Sequence, residues 1–212
     1  LSGDKLLWEA YASGDPYMAF AIQAGLAPAS ANKHTHKEVR DRCKQVVLGV
    51  NYGMASEGVA RAAGIHVLEA QNLLQKHRET YRGFWAWAEQ NMNAGLLGLP
   101  LRTCFGWQVR ATNSPVKANT FLNWPMQSHG AEMMRLACCL ALERGIKVCA
   151  PIHDALLIEA DATDIEQRVV ELRACMDEAS ELVLGRGKIC RTDVEIVRYP
   201  DRYMDDGGES MW

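Results

Sequence analysis

Apolar residues recur every three or four positions over much of the chain, which is the spacing of an amphipathic α-helix. The first such segment covers residues 5–24 and is interrupted near Pro16, where proline favours a break. A second covers residues 67–97 and is broken near Gly83. The same spacing predicts a short helix from Ser56 to about Gly64 and longer helices over residues 116–144 and 163–184.

Fewer segments have the pattern of β-strands. Residues 101–112 predict a hairpin that turns at Phe105-Gly106-Trp107. Two short apolar runs, 146–151 and 155–160, predict a second hairpin because only His153-Asp154 and one flanking residue separate the stretches. Residues 189–197 alternate in polarity and predict a final strand. Many helices with a few neighbouring strands indicate an α+β fold.

One further helix, predicted over about residues 36–52, has a stripe of chemically distinct side chains. Arg40, Lys44, Leu48 and Tyr52 are spaced four apart, so on a helix the stripe turns by only about 40° per step. Two cations, an apolar residue and an aromatic ring follow the order of the phosphates, sugar and base of a nucleoside triphosphate. The alternative is an ordinary amphipathic helix whose basic residues face water.

The ends and the buried side of this helix also follow from the sequence. Thr35-His36-Lys37-Glu38 predicts a capping box, and Gly53 predicts the end of the helix. Four apolar residues on the opposite side are candidates for the core: Cys43, Val46, Val47 and Val50.

Two later segments complete a constellation of motifs. Asn123-Trp124-Pro125-Met126-Gln127-Ser128 lies in the long helix, and Ile152-His153-Asp154-Ala155 lies in the second hairpin. With the stripe helix, and in this order, they resemble family-A DNA polymerases of the bacterial DNA polymerase I type. The family's patterns are Arg-x3-Lys-x3-aromatic-x3-Tyr-Gly, Asn-x-Pro-Met-Gln-Gly and His-Asp-Glu. From the first to the last, the three segments span residues 40–155, more than half of the chain.

The resemblance implies a division of the chain into two parts of a right-hand polymerase. Residues 1–99 correspond to a mostly helical fingers subdomain, with the finger helix at about 36–52. Residues 100–212 correspond to the C-terminal palm portion, an antiparallel sheet with the His153-Asp154 hairpin. The thumb and the first palm motif have no counterpart in these 212 residues.

The composition of the chain indicates its location in the cell and the charge of its ligands. No run of apolar residues is long enough to cross a bilayer, and seven cysteines without a Cys-x-x-Cys pair favour reduced thiols over a disulfide framework. We therefore expect a cytoplasmic location, in a bacterial or phage-infected cell, and no membrane partner. Residues 1–130 have a net charge of +4 and residues 131–212 of −7, which permits phosphate binding in one half and metal binding in the other.

The resemblance implies roles for the stripe. Arg40 and Lys44 contact the β- and γ-phosphates of an incoming dNTP, and Lys44 also donates a proton to the leaving pyrophosphate. Tyr52 stacks near the templating base. Leu48 stands where the family usually has Phe or Tyr, and because leucine has no hydroxyl we expect discrimination against dideoxynucleotides.

The resemblance also implies a site for two Mg²⁺ ions, of which Asp154 is one ligand, and a positioning role for His153 near the primer end. Ala155 replaces the family's glutamate and removes an auxiliary carboxylate. The other bridging aspartate belongs to a family motif that we expect to lie outside this chain. One carboxylate does not readily hold two hard cations, so the active site of this chain alone is expected to be incomplete. A simple hairpin turn is the alternative role of His153-Asp154.

Contacts with primer-template DNA are expected from two further groups of residues. Asn119, Asn123 and Gln127 are four apart on one face of the long helix, and amides can contact minor-groove acceptors without reading sequence. The family usually has arginine at the position of Asn119. Arg102 and Arg110 in the first hairpin are candidates for phosphate contacts.

The sequence therefore indicates Mg²⁺-dependent, template-directed addition of dNTPs to a primer 3′ end, as part of a family-A DNA polymerase. The departures at Leu48, Asn119 and Ala155 favour a phage or otherwise divergent member. Two alternatives stay open: a catalytically incomplete fragment that binds nucleotide or primer-template, and one half of a split polymerase whose remainder is a separate chain. A third is an unrelated α+β protein with coincidental motifs.

Overall fold

The computed structural model describes residues 1–110 and 117–201. These residues form eight α-helices and two antiparallel two-stranded sheets, which confirms the predicted α+β class. The chain divides into two compact units, one of Leu1–Ser128 and one that begins at His129. This division does not coincide with the expected boundary between fingers and palm near residue 100, and that assignment stays a prediction.

Six helices and one small sheet lie wholly in the first unit. The helices are α1 (Lys5–Ala12), α2 (Pro16–Gln23), α3 (Lys37–Asn51), α4 (Ser56–Ala63), α5 (Val67–Thr80) and α6 (Arg82–Leu96), and the sheet pairs β1 (Leu101–Arg102) with β2 (Gln108–Val109). Helix α7 (Ala118–Glu143) begins in the first unit and ends in the second. The second unit continues with β3 (Val148–Ile152), β4 (Ala155–Ile158) and α8 (Ile165–Leu184).

Aspartates begin the first two helices. Asp4 accepts a hydrogen bond from the Leu7 amide and Asp15 accepts one from the Met18 amide, so each satisfies an amide that the helix itself leaves unpaired. The other carboxylate oxygen of Asp4 accepts a bond from the Phe84 amide, in the first turn of α6. A single side chain therefore caps two helices that are far apart in the sequence.

A buried aromatic cluster surrounds His77 in the core of the first unit. The His77 side chain is 2% exposed, and its ring lies 4.8–6.1 Å from the ring centroids of four aromatic residues. The indole Nε1 of Trp85 donates a hydrogen bond of 3.1 Å to Nδ1 of His77, which requires Nδ1 to be unprotonated. The four residues are Phe20, Tyr81, Phe84 and Trp85.

The core of the second unit is formed by one face of the β3–β4 hairpin together with helices. Val148, Leu156 and Ile158 alternate with exposed residues along the strands and pack against a cluster that includes Ala141, Ile146, Leu172 and Cys175. This alternation is the period-2 pattern of a strand with one buried face.

Two predictions of local structure are wrong. The Thr35 hydroxyl accepts a bond from the Asn32 amide, so α3 begins after His36 without a side-chain cap instead of with the capping box. Residues 189–197 form no strand, because within the described residues no neighbouring strand pairs with them. Their alternating pattern therefore has no ladder to stabilise it.

Among the helices of the described residues, none is both long enough and apolar enough to cross a bilayer.

Titration of His77 is expected to make the stability of the first unit depend on pH. Burial lowers the pKa of His77 from 6.5 to about 4, although the nearby charge of Asp4 opposes this effect. Between these two pH values the unfolded chain binds a proton that the folded chain excludes. The free energy of unfolding should therefore be highest above pH 6.5 and fall by up to about 3 kcal/mol as the pH approaches 4.

Chemical denaturation at several pH values measures this dependence. His77→Phe keeps most of the ring contacts but removes the imidazole that titrates. The overall stability changes because Trp85 loses its hydrogen-bond acceptor, and this part of the pH dependence disappears. The exposed residue His34 provides a matched control, and His34→Gln should keep the slope of the unmodified chain. An unchanged slope in His77→Phe would show that the buried imidazole does not cause it.

Candidate functional site

The predicted stripe lies on the outer side of α3. Cys43, Val46 and Val50 on the inner side are between 0% and 2% exposed, and they pack in the core of the first unit. Burial of that face leaves Lys44 exposed, and Tyr52 at the end of the helix is 58% exposed. The packing therefore fixes which side chains of α3 can meet a ligand.

Arg40 at the beginning of the stripe contacts three residues that the sequence does not predict as its partners. Its Nε donates a hydrogen bond of 2.6 Å to Asp15, and its guanidinium lies 5.4 Å from the centroid of the Tyr17 ring. Its Nη1 also lies 3.7 Å from a carboxylate oxygen of Asp41. Burial raises the pKa of Asp15, but the bonds from Arg40 and the Met18 amide outweigh this effect and leave that pKa below 3.8. The Gly-Asp-Pro sequence before α2 predicts only a helix break, although it also places this carboxylate.

Lys44 differs from Arg40 in its surroundings. Its ammonium is exposed and forms no hydrogen bond or ion pair with other residues in 1–110 and 117–201. Arg40 is a fixed, planar donor, whereas Lys44 is a mobile point charge. The two cations on one face of α3 can therefore contact the same anion in different ways.

The end of α3 is linked to the beginning of α7. Gly53 adopts φ +64°, as predicted for the residue after a helix, and its carbonyl accepts a hydrogen bond of 2.8 Å from Asn119 Nδ2. A Cβ atom on Gly53 would lie 2.6 Å from Cγ of Asn119. The amide of Asn119, expected to contact DNA, is thus used to hold the segment next to Tyr52.

The two other amides of α7 have different environments. Gln127 is exposed and accessible to a ligand. Asn123 is only partly exposed, and its Oδ1 is buried without a hydrogen-bond partner in the described residues. Pro125, inside the helix between them, lacks the amide hydrogen that would bond to the preceding turn, so the helical ladder is interrupted beside both side chains.

The β1–β2 hairpin presents both predicted arginines at the surface. Arg102 lies directly across the ladder from Gln108, and both it and Arg110 are exposed. The hairpin turn includes Gly106 at φ +89°, a conformation that favours glycine. Both arginine side chains are therefore accessible to a phosphate ligand.

In the second unit, His153 and Asp154 are the two-residue turn between β3 and β4. Ile152 pairs with Ala155 across the turn, His153 has φ +53°, and both His153 and Asp154 are exposed. Glu159 forms an ion pair of 2.8 Å with Lys147, and the hydrogen bond in this pair lowers the pKa of Glu159.

The donor set in this turn is too small for a two-metal site. In residues 1–110 and 117–201, no group of three or more His, Cys, Asp or Glu side chains is arranged to hold an ion. Asp154 provides one hard oxygen ligand, whereas Mg²⁺ and Ca²⁺ require several oxygen ligands each. These residues alone therefore do not fit two Mg²⁺ ions.

Comparison with protein families identifies the family of this chain. The family model described as DNA polymerase family A matches residues 1–196. The chain belongs to this family, which excludes the reading as an unrelated α+β protein.

Individual relatives agree with this assignment. The chain is 26% identical to a thermostable DNA polymerase I of Thermus filiformis over 196 residues, which are 85% of this chain and 22% of that protein. It is 24% identical to DNA polymerase I of Rhizobium leguminosarum over 159 residues, 68% of this chain and 16% of that protein. The chain thus spans about a fifth of the length of these curated relatives.

A solved structure has the same fold. It is described as the POL domain of Pol1 from M. smegmatis in complex with DNA primer-template and dNTP. The match has a TM-score of 0.71 at 22% identity, and it covers 84% of this chain and 34% of that one.

The contact between Gly53 and Asn119 leads to a stability prediction. Gly53→Ala should lower the free energy of unfolding by about 1–3 kcal/mol, because alanine is strained at positive φ and its Cβ overlaps the Asn119 side chain. Gly64→Ala is the matched control, since Gly64 has φ +65° but no atom within 4 Å of the added Cβ.

A double-mutant cycle separates strain from overlap. Adding Asn119→Ala to Gly53→Ala should restore part of the lost stability, as measured by urea denaturation. Strictly additive effects of the two substitutions would show that the side chains do not compete for this space.

Proposed function

We propose that this chain is the fingers and C-terminal palm portion of a DNA polymerase that adds dNTPs to a primer 3′ end under the direction of a template. The observation that supports this proposal most strongly is the stripe on the outer side of α3. Lys44 and Tyr52 are exposed and Arg40 and Leu48 are partly exposed, whereas the opposite face of the helix is buried. Family membership supports the reaction class, and the relative solved with primer-template and dNTP supports the choice of ligands.

The triphosphate is proposed to bind along the first half of α3. Asp15 holds the Nε edge of Arg40 and keeps the guanidinium in place, so that its remaining N–H groups donate to phosphate oxygens. Lys44 neutralises charge beside it and donates a proton to the pyrophosphate as it leaves. Charge neutralisation and positioning are the main requirements of phosphoryl transfer, and both residues meet them without forming a covalent intermediate.

The base and sugar of the nucleotide are proposed to lie toward the end of α3. Tyr52, with more than half of its surface exposed, stacks near the templating base. Leu48 packs against the sugar without offering a hydrogen bond. The bond between Asn119 and Gly53 fixes the backbone next to Tyr52, so we assign Asn119 to positioning as well as to the proposed minor-groove contact, which Asn123 and Gln127 share.

Asp154 is proposed as a ligand of catalytic Mg²⁺, and His153 as a residue that positions the primer end. Bound Mg²⁺ would supply charge stabilisation to the triphosphate and to the attacking primer hydroxyl. The second bridging carboxylate is proposed to come from outside this chain, because within residues 1–110 and 117–201 Asp154 is a single ligand at an exposed turn. It is supplied either by the same polypeptide upstream or by a separate chain.

Primer extension tests this proposal. A polypeptide extended upstream through the first palm motif should extend a primer in Mg²⁺, and Asp154→Ala should reduce the rate by about 100-fold or more, since a metal ligand contributes several kcal/mol. Asp161→Ala, at an exposed aspartate shortly after β4, is the matched control and should keep the rate.

Binding and primer-extension assays on the 212-residue chain alone distinguish between the candidate functions. We expect it to bind primer-template and dNTP without extending the primer. Asp154-dependent extension by the short chain would contradict the proposal that a carboxylate is supplied from outside. If neither polypeptide extends a primer but both bind primer-template and dNTP, the chain acts as a binding fragment, which is the second candidate function.

Leu48 provides a test of the position proposed for the sugar. In an active polypeptide, Leu48→Tyr should reduce the preference for dNTP over dideoxynucleotide by at least about tenfold in kcat/KM, because one added hydrogen bond can replace that of the missing 3′-hydroxyl. Leu48→Phe adds a ring of similar size without the hydroxyl and should keep the preference. Equal use of both substrates by the unmodified polypeptide would refute the prediction.

A further inference from the structure

A third cation, Lys37, lies on the same side of α3 as the stripe and closer to the beginning of the helix. Lys37 is the first residue of α3 and comes seven residues before Lys44, so the two lie within about 20° of each other around the helix axis. Arg40 lies between them along the axis, at about 60° from Lys37. The outer side of α3 thus has cations distributed over a rise of about 10.5 Å.

These cations differ in how far other residues neutralise them. Arg40 donates a hydrogen bond of 2.6 Å to Asp15, and its Nη1 lies 3.7 Å from a carboxylate oxygen of Asp41. Lys37 is exposed and, like Lys44, its ammonium forms no hydrogen bond or ion pair with the residues described, 1–110 and 117–201. Two carboxylates therefore offset the charge of Arg40, whereas the charges before and after it along the helix are not offset by an ion pair.

The acidic residue that follows Lys37 is paired with another cation. Glu38 accepts a hydrogen bond of 3.0 Å from Arg42, and it lies about 100° around the helix from Lys37. Arg42 also donates a bond of 2.9 Å to Glu69, in the first turn of α5. These two carboxylates therefore neutralise Arg42, and the charge of Lys37 is accessible to an anionic ligand.

We propose that Lys37 forms a subsite for a fourth phosphate group, so that this chain binds deoxynucleoside 5′-tetraphosphates more tightly than triphosphates. The inference rests on the proposed function, in which Arg40 and Lys44 bind the β- and γ-phosphates. A fourth phosphate extends the ligand beyond Arg40 toward the beginning of α3, and the rise from Arg40 to Lys37 is about 4.5 Å. The flexible stem of lysine lets its ammonium follow the added phosphate as a mobile point charge.

Calorimetric titration of the 212-residue chain tests this subsite. The titration is made in Mg²⁺ with a primer-template whose primer ends in a dideoxynucleotide, so that no extension accompanies binding. The unmodified chain should bind deoxyadenosine tetraphosphate roughly three- to tenfold more tightly than dATP, the effect of one added contact between a cation and a phosphate. Lys37→Gln should weaken binding of the tetraphosphate until the two dissociation constants are equal.

Two variants and a footprint distinguish a contact at Lys37 from the general attraction of a more highly charged ligand. Lys37→Arg keeps the cation and should keep the preference for the tetraphosphate. Lys5→Gln is the matched control, because Lys5 is also an exposed lysine at the first residue of a helix, α1. The tetraphosphate should slow acylation of Lys37 more than dATP does, which locates the added phosphate.

A preference for the tetraphosphate that is lost in Lys37→Gln and kept in Lys37→Arg and Lys5→Gln supports the subsite. Equal dissociation constants for the two nucleotides in the unmodified chain overturn it without affecting the proposed function. A preference that survives in Lys37→Gln, or an equal weakening of both nucleotides in that variant, also overturns it. Failure of the unmodified chain to bind either nucleotide contradicts the proposed function and this inference together.

Discussion

The candidate site depends on the burial of one face of α3. Cys43, Val46 and Val50 occupy the core of the first unit, and their removal from water fixes the rotation of the helix about its axis. A rotation that turned the stripe inward would bury the ammonium of Lys44, which is costly without a partner. The hydrophobic effect therefore orients the polar chemistry of this helix.

Polar contacts then fix the two ends of the stripe. Asp15 and Tyr17 restrain Arg40 near the beginning of α3, and Asn119 binds the carbonyl of Gly53 just after the helix ends. The stripe thus has a rigid cation at one end and a restrained backbone at the other, with the mobile Lys44 between them. This arrangement suits a ligand whose charged part must be held in place while one proton is transferred.

Much of this arrangement could be predicted because it follows from local spacing. Residues four apart share a helix face, and Gly53 is the residue type that a helix end at positive φ favours. Two kinds of feature could not be predicted. The ion pair of Asp15 with Arg40 joins residues 25 positions apart, and periodicity contains no information on such contacts. The capping box failed because the Asn32 amide competes for the Thr35 hydroxyl, and residues 189–197 form no strand without a neighbour to pair with.

We proposed that the outer face of α3 binds the triphosphate of a nucleotide, and lysine footprinting tests this binding most directly. Lys44 and Lys33 are both exposed, so both should react with an acylating reagent in the free chain. Saturating dNTP, with primer-template present, should slow acylation of Lys44 and leave that of Lys33 unchanged, as followed by mass spectrometry. Equal acylation of Lys44 with and without dNTP, under conditions where nucleotide is bound, would contradict it.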